Sequence, residues 1–492
     1  MLDTIVNFLN DLLWGKVLIY GLVAAGLYFT LRLAFIQVTH FKHSAKLMLK
    51  SRQGPTKDGL TSFQVFCTSM AARVGAGNMA GVAVAISAAG PGAIFWMWLI
   101  AVLGMATAMV ESTLAQVYKV RDKDGQFRGG PSYYMENGLG KRWMGVLFAF
   151  FLILAFGLVF NAVQANTISG AMSSIFDISP TTVGVTLVIF SGLIIIGGLK
   201  KVAKVSEIIV PVMALGYIGI AFIIVLMNVS ELPAIFMLVI KSAFGVQEVV
   251  AGGVGYAIAQ SMQAGIARGL FSNEAGMGSA ANIAASASPN PNHPASQGFI
   301  QMMGVFVDTI VICTATAAII LLAGDVGADN DGIAITIQAL TNHVGAWGGI
   351  FIGLAILLFC FTSIIANYSY AETNVLFLTR NNKKALPLFR MCVLAMVMFG
   401  AVAKIGLVWN LADLSMGLMA TVNIIALLML SKLAIKVIND YRYQLRAGKT
   451  PTFNSNQFPE LANLKGGIWN GAATPEENTD TAGDQGSEPT KA

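Results

Sequence analysis

The chain has 492 residues, of which 55% are hydrophobic and 11% are charged, and its formal net charge is +6. An ordinary soluble domain carries about 25% charged residues, so this composition excludes a soluble enzyme. The mean hydropathy of +0.69 and the 51 glycines instead predict a polytopic membrane protein, in which Gly permits close helix packing. No basic patch is interleaved with aromatic residues, so a nucleic-acid partner is not expected.

Eleven stretches are long and apolar enough to span a membrane, for which about 20 residues are needed. They lie at residues 13–37, 62–88, 91–118, 143–174, 180–198, 205–228, 249–286, 297–323, 347–378, 388–404 and 409–433. The shorter apolar stretch 231–245 is interpreted as a helical loop lying on the protein. The polar residues 451–492 are interpreted as a disordered tail. The sequence therefore predicts an all-α membrane protein with 11 transmembrane helices.

The basic residues indicate the orientation of these helices. Of the 31 Lys and Arg residues, 25 lie in the loops after the first, third, fifth and ninth spans or beyond the last span. The opposite side holds only Lys16 and Lys241, together with acidic residues at 325, 329 and 331. The positive-inside rule then places the N-terminus outside and the C-terminus in the cytoplasm, which agrees with an odd number of spans.

Two predicted spans contain segments that are unfavourable inside a helix. Residues 74–78 read Val-Gly-Ala-Gly-Asn, and residues 269–276 read Gly-Leu-Phe-Ser-Asn-Glu-Ala-Gly. Gly costs about 1 kcal/mol relative to Ala in a helix interior, and Asn prefers helix caps. Breaks at corresponding positions of two halves are typical of transporter binding sites.

The two breaks divide the chain into two sets of five helices. Five units are predicted along the chain. They are an N-terminal segment with the extra helix and a basic loop (1–61), a first repeat (62–228), an external helical loop (229–248), a second repeat (249–435) and a largely disordered cytoplasmic tail (436–492). Each set opens with a broken helix and has a third member of about 32 residues, which favours a 5+5 inverted-repeat core.

The first break offers backbone groups for binding. The amides at the start of the outer half-helix favour a carboxylate, and the carbonyls that end the inner half can hold Na⁺ or an ammonium group. Together they would recognise both ends of an amino acid. The alternative is that the glycines only permit close packing, because Gly77 and Gly81 have a helix-packing spacing.

Several polar side chains in other spans could contribute to such a site. Asn161 and Gln164 share a helix face and either bind substrate or join helices. Thr362 and Ser363 either offer oxygens to a cation or bond to carbonyls of their own helix. Arg268 and Glu274 flank the second break and are expected to pair across it or with its freed backbone groups. Asp308, near the middle of a span, is a further candidate for carrying a proton or an ion.

Five motifs resemble one family of membrane proteins, and together they extend the resemblance over roughly residues 10–450. They are VGAGNMAGV (74–82), GPGAIFWMW (90–98), ESTLAQVY (111–118), GGPSYYM (129–135) and RGLFSNEAGMGSA (268–280). These motifs resemble the alanine/glycine:cation symporter family. The resemblance implies a leucine-transporter-like fold with one extra N-terminal helix. It also implies Na⁺-coupled uptake of small neutral amino acids across a bacterial or archaeal plasma membrane.

The same resemblance implies particular binding residues. The substrate would contact the first break, the second break and the fourth and ninth spans, at Gly75, Gly77, Asn78, Asn161, Gln164, Phe271, Ser272, Asn273 and Asn367. Sodium, the coupling ion, would be held by carbonyls and hydroxyls of Ala71, Val74, Phe359, Thr362 and Ser363. No other cofactor is expected, and the sequence leaves the oligomeric state open, a monomer being compatible with it.

The chain departs from the family pattern at one position. Many members have a tryptophan in a Gly-Trp-Ser-Tyr stretch, where this chain has Asn367. The smaller, polar side chain leaves open whether alanine, glycine or a larger amide such as glutamine is preferred. An ion channel is the alternative function, although no filter motif is present. The sequence contains no nucleophile–base pair, which an enzyme would need, and no phosphate-binding loop, which a primary pump would need.

Overall fold

The computed structural model describes residues 2–52, 59–245, 254–324, 332–462, 464 and 468–469. These residues are predominantly helical, as predicted, with two small sheets in addition. Strand β1 (Leu60–Thr61) pairs in parallel with β4 (Ala287–Ser288), and β2 (Val120–Arg121) pairs antiparallel with β3 (Phe127–Arg128). The first sheet joins the start of the first broken helix to the end of the second.

The first half of the chain forms thirteen α-helices in the described residues. They are α1 (Leu2–Leu12), α2 (Ile19–Arg32), α3 (Ile36–Thr39), α4 (Phe41–Lys50), α5 (Ser62–Arg73), α6 (Val82–Ala89), α7 (Gly92–Val117), α8 (Pro131–Asn137), α9 (Arg142–Leu152), α10 (Phe160–Phe176), α11 (Pro180–Ile195), α12 (Gly198–Met227) and α13 (Leu232–Ala243). Single π-helical turns connect α1 to α2, α9 to α10, and the break to α6, at Leu13–Leu18, Ile153–Val159 and Gly77–Gly81.

The second half contributes nine further α-helices within the described ranges. They are α14 (Val254–Asn273), α15 (Ser279–Ala284), α16 (Pro294–Val305), α17 (Thr314–Leu322), α18 (Ile333–Val344), α19 (Ala346–Leu378), α20 (Leu386–Val402), α21 (Ile405–Met429) and α22 (Ser431–Arg446). A π-helical stretch, Phe306–Cys313, joins α16 to α17, and short 3₁₀ turns occur at Lys383–Ala385, Ser455–Gln457 and Pro459–Leu461.

Eight of the described helices are long and apolar enough to cross a membrane, and the bent pair at the first break makes a ninth. The predicted span 180–198 corresponds to α11, whose 16 residues are shorter than that criterion. The predicted span 249–286 is helical from Val254, and residues 249–253 lie outside the described part. The chain is thus a multi-pass helical protein, and the count of eleven stays a prediction.

The first break lies where the sequence predicts it. A capping box begins α5, because the Thr61 side chain accepts from the Gln64 amide and the Gln64 side chain accepts from the Thr61 amide. The helix ends at Arg73, and the two halves are bent by 48°. Val74 has extended backbone, so the carbonyls of the last helical turn have no continuing helix above them.

The second break lies later in the chain than predicted. Residues 269–273 remain helical, and the turn falls at Glu274, Gly276 and Gly278, which have φ of 60°, 88° and 80°. The Asn273 side chain accepts a hydrogen bond from the Ala275 amide at 3.0 Å and so ends α14. Glycine tolerates positive φ without steric cost, which explains why the chain reverses here rather than at Gly269.

Two elements differ from the sequence interpretation. The segment after the eighth span contains the half-buried helix α18, which is too short to be recognised as a span. The acidic residues at 325, 329 and 331 lie outside the described residues. The start of the predicted disordered tail folds back on the protein. Phe453, Phe458 and Trp469 are buried, and the Trp469 indole donates to the Gln116 carbonyl at 3.0 Å.

Candidate functional site

Oxygen atoms from α5 and α19 meet beside the first break. The Ser363 hydroxyl lies 2.8 Å from the Ala71 carbonyl, 3.3 Å from the Val74 carbonyl and 3.0 Å from the Phe359 carbonyl. All four residues are buried. The bend frees the first two carbonyls from helical bonds, and α19 presents Ser363 to them. The arrangement joins four of the five predicted sodium ligands in one oxygen-only cluster.

Thr362 lies at the edge of this cluster. Its hydroxyl donates to the Phe359 carbonyl at 2.9 Å and is 4.0 Å from the Met213 sulfur. This is the local helix bond that was the alternative interpretation for a threonine in a span. Ser363 is therefore the hydroxyl that connects the two helices, and Thr362 contacts the cluster only through Phe359.

The freed amides of the first break are held by two side-chain amides. The Gly75 amide donates to the Asn78 Oδ1 at 2.9 Å, and the Ala76 amide donates to the Gln164 Oε1 at 2.9 Å. Gln164 thus reaches the break from α10, as the resemblance implied. A Cβ on Gly75 would lie 2.4 Å from the Ser363 hydroxyl oxygen and 2.6 Å from Gln164 Oε1. A side chain at position 75 would therefore prevent the three helices from meeting at this point, and only Gly75 avoids the clash.

Asn78 also connects the first break to the second broken helix. Its Nδ2 donates to Ser272 at 2.9 Å and to the Asp308 carboxylate at 2.7 Å. Asp308 accepts further bonds from Ser272 at 2.7 Å and Thr309 at 2.8 Å. The sequence suggested Asp308 for ion or proton carriage but did not include it among the site residues. Its position in a π-helical stretch, which is frequent at functional sites, was not recognisable from the sequence.

Aromatic rings cover this polar centre. The Phe271 ring stacks on Phe160 at 4.5 Å and contacts Trp409 at 4.8 Å between ring centroids. A Cβ on Gly77 would lie 3.0 Å from the Phe271 ring and 3.1 Å from the Ser272 Cα. Gly77 therefore lets α14 approach the break closely, which is the packing role that the sequence left open for this glycine.

Asn161 and Asn367 form a pair one helical turn away from Gln164 and Ser363. The Asn367 Nδ2 donates to the Asn161 Oδ1 at 3.2 Å, and Asn161 also donates to the Gly157 carbonyl at 3.1 Å. The Asn367 Oδ1 is buried without a hydrogen-bond partner among the described residues. A buried amide normally has its groups paired, so this oxygen is available to a polar ligand.

The residues around the second break differ from the expected arrangement. The Asn273 side chain donates to Thr309 at 3.2 Å, and so it holds α14 against the Asp308 helix. Arg268 does not pair with Glu274; it forms an ion pair with Asp413 of α21. Glu274 instead accepts from Ser279 at 2.7 Å. The sequence could not show that α21 passes beside Arg268, and it missed Trp409 and Asp413 for the same reason.

The geometry of this site suits the binding of a cation and of a polar ligand. Carbonyl and hydroxyl oxygens can replace the hydration shell of a small hard cation, and the donors and acceptors at the first break suit a polar ligand. Both lie where two broken helices meet at the centre of a multi-pass bundle. These features define the class of protein as a secondary membrane transporter.

Comparison with known proteins gives the family. The model of the sodium:alanine symporter family matches residues 1–455, and the chain belongs to this family. The resemblance predicted from the motifs is therefore confirmed. Na⁺ is the coupling ion of the family, and its members are amino-acid symporters rather than enzymes.

Two relatives and one solved structure illustrate the similarity. The probable sodium/glutamine symporter GlnT of Bacillus subtilis (strain 168) is 50% identical over 92% of this chain and 93% of its own length. The sodium/alanine symporter AgcS of Methanococcus maripaludis is 37% identical over 89% of this chain and 98% of its own. MhsT in complex with L-phenylalanine superposes with a TM-score of 0.48 and 12% identity, over 78% of this chain and 99% of that one.

Proposed function

We propose that this chain imports a small neutral amino acid together with Na⁺ by alternating access, with its N-terminus outside and its C-terminus in the cytoplasm. The observation that carries the proposal is the oxygen cluster around Ser363. Three carbonyls and one hydroxyl converge there from two helices, and none of them is needed to continue α5. Sodium bound to Ala71, Val74, Phe359 and Ser363 would neutralise the partial charges of these oxygens.

We propose that the amino acid binds beside this cation. Gly75, Gly77, Asn78 and Gln164 would contact it from the first break and α10. Phe271, Ser272 and Asn273 would close the site from the second broken helix. Cation and substrate would then share the same flexible segment, so that occupancy of both sites biases the bundle toward one closed arrangement.

A leucine-transporter-like core of two inverted five-helix repeats is part of the proposal. Its support is the position of the two breaks and the length of the third member of each set. That member is one continuous helix of 35 residues, Arg142–Phe176, in the first set and 33 residues, Ala346–Leu378, in the second. In such a core the two sets rock against each other around a site at the membrane midplane.

Glutamine is the second candidate substrate. The family description names alanine, whereas the 50% identical relative is described as a probable sodium/glutamine symporter. The feature of this chain that favours glutamine is Asn367, whose buried Oδ1 lacks a partner among the described residues. A side-chain amide of the substrate could donate to it. A channel is disfavoured because the described site consists of broken helices rather than a ring of like groups.

The test is uptake into proteoliposomes. Labelled glycine, L-alanine and L-glutamine are offered while gradients of Na⁺, Li⁺ or H⁺ are imposed separately. The proposal expects concentrative uptake with Na⁺ and a fixed ratio of Na⁺ to amino acid. Flux that dissipates gradients without concentrating substrate would indicate a channel, and uptake driven equally well without Na⁺ would refute the sodium site.

A further inference from the structure

A hydrogen-bonded junction joins the two halves of the chain on the side predicted to be cytoplasmic. The Leu60 amide, just before α5, donates to the Ser286 carbonyl at 3.1 Å, and Leu60 pairs with Ala287 through β1 and β4. The Gln116 side chain, at the end of α7, donates to the Ala287 carbonyl at 3.2 Å. Both α5 and α7 belong to the first predicted set of helices, whereas Ser286 and Ala287 follow the second broken helix. Any rocking that separates the two sets on this side therefore has to break the junction.

A buried lysine reinforces this junction. Lys119 is 3% exposed, and its Nζ donates to the Ala287 carbonyl at 2.9 Å and to the Gln116 Oε1 at 2.8 Å. The same nitrogen lies 4.1 Å from the centroid of the Phe127 ring and 4.7 Å from that of the Trp469 ring. The head group of lysine is strongly hydrated in water. Water would therefore compete for both hydrogen bonds of Lys119 if either ring moved away.

One of these two rings belongs to a segment that follows α22. Residues 453–461 together with Trp469 are called the C-terminal strap below. The Phe453 amide donates to the Asn292 carbonyl, just before α16, at 3.1 Å, and the Ser455 amide donates to the Trp469 carbonyl at 3.0 Å. The indole bond of Trp469 to α7 completes the crossing. The strap thus lies across the junction and contacts elements of both sets of helices.

An exposed ion pair fastens the strap to α22. The Lys436 Nζ lies 3.0 Å from the Glu460 Oε1, and the two side chains are 47% and 50% exposed. The same nitrogen lies 5.4 Å from the centroid of the Phe458 ring. Exposed ion pairs contribute little to global stability and are weakened by salt. A segment held by a few rings, backbone bonds and one such pair can leave the surface while the helices beneath it stay folded.

We propose that the C-terminal strap is an autoinhibitory latch, which holds the cytoplasmic end of the transport path closed until the strap leaves the surface. Its release would let water reach Lys119, loosen the bonds of Lys119 and Gln116 to Ala287, and so free β1 from β4. The latch goes beyond the proposed function, because its position on the junction does not depend on which ion or amino acid is carried.

The test measures how fast water-borne reagents reach the junction. Ser286→Cys places a reporter at a buried position of the junction, where the native hydroxyl has no partner among the described residues. Ser206→Cys on α12 is the matched control, because this serine is also buried with an unpartnered hydroxyl in the described part. The background is Cys392→Ser, which removes an exposed native cysteine. Labelling by a maleimide is followed in nanodiscs, where both membrane faces are accessible.

Trp469→Ala removes the ring that covers Lys119. Labelling at position 286 should become about tenfold faster or more, since a buried Trp contributes strongly to the packing of the segment that carries it. Labelling at position 206 should not change. The initial rate of Na⁺-driven uptake should rise about twofold or more, since conformational opening commonly limits turnover.

Charge reversal loosens the strap without altering the junction itself. Lys436→Glu and Glu460→Lys each create a like-charge pair, and the combination of both restores opposite charges. Each single variant should accelerate labelling at position 286 about threefold or more, because one attractive pair is lost and one repulsive pair is gained. The double variant should return to within about twofold of the parent. These variants decide the question if Trp469→Ala is not monodisperse.

Four outcomes would overturn the latch. They are labelling at position 286 that is unchanged in Trp469→Ala and in both single charge variants, equal acceleration at position 206, a double charge variant that labels as fast as the single variants, and faster labelling without faster uptake. Failure of the proposed function is seen separately, because the parent protein would then show no Na⁺-driven uptake. The labelling rates at positions 286 and 206 would still decide whether the strap closes the junction.

Discussion

Ser363 and Thr362 are neighbouring hydroxyl residues with different contacts. Ser363 touches carbonyls of α5 and α19, whereas Thr362 touches one carbonyl of its own helix. We expect Ser363→Ala to raise the Na⁺ concentration for half-maximal uptake by about tenfold or more, since a polar contact to a charged group contributes about 1.5–3 kcal/mol. Thr362→Val should have a smaller effect. Titration of uptake against Na⁺ decides this, and equal shifts in both variants would count against the cluster.

Asn367 is expected to act on selectivity through its unpaired oxygen. Asn367→Leu keeps a similar size but removes the amide, so the ratio of glutamine to glycine uptake should fall roughly fivefold or more, for a bond of about 1 kcal/mol. Asn161→Leu is the matched control, because it removes the other member of the same pair. Competition uptake at equal expression provides the ratio. If both variants weaken all substrates to the same degree, Asn367 serves only to pair with Asn161.

At the scale of elements, the first broken helix contains two glycines whose surroundings differ. A Cβ at Gly75 would be 2.4 Å from the Ser363 oxygen, whereas at Gly81 the nearest atom would be 3.6 Å away, on Trp409. Gly75→Ala should therefore displace α5 from α19 and reduce Na⁺-driven uptake at least tenfold. Gly81→Ala should retain most of it. Uptake and thermal stability are measured in both, and an active Gly75→Ala protein would show that the two helices do not need this close approach.

His40 lies directly before α4 on the side predicted to be cytoplasmic, and its ring stacks on Phe299 of α16 at 5.9 Å between ring centroids. Burial, with a smaller effect from Arg442, lowers the pKa of His40 to about 4. The folded protein therefore binds this proton less readily than the unfolded chain, whose histidine has a pKa near 6.5. The contribution of His40 to the free energy of unfolding is therefore greatest above about pH 6.5 and decreases as the pH falls toward 4.

We expect His40→Gln to reduce the loss of thermal stability between pH 7.5 and pH 5. The readout is the apparent unfolding temperature in detergent at a series of pH values. Curves for the parent and His40→Gln that stay parallel would contradict the assignment.

At the scale of the whole molecule, several described residues after α22 pack against the rest of the protein. Trp469 is 2% exposed and donates to the end of α7 at Gln116, whereas Trp347 is 56% exposed. Replacing a buried Trp by Ala typically costs about 3–5 kcal/mol. Trp469→Ala should therefore lower the apparent unfolding temperature by several degrees, and Trp347→Ala should leave it nearly unchanged. Equal effects would mean that the segment is not held in solution.

The sequence alone determined the membrane class, most span positions and the existence of two breaks. These follow from local properties: the run of apolar residues, the low charge, and the clustering of Gly with Asn at 74–78. The family resemblance also followed from the sequence, because its motifs are contiguous. Local composition did not place the second break, since the turn at Glu274–Gly278 depends on Asn273 capping the helix and on glycines that tolerate positive φ.

Only the tertiary structure decided which polar residues meet. Ser363 and Ala71 are 292 positions apart, and Arg268 and Asp413 are 145 apart. No periodicity in the sequence encodes such distances, because they depend on how whole helices cross. For the same reason, the sequence did not show that Asp308 lies at the central site, that Glu274 does not pair with its expected partner, or that Trp469 packs against the rest of the protein. A side chain's residue type shows that it needs a partner when buried, but the packing of the bundle selects that partner.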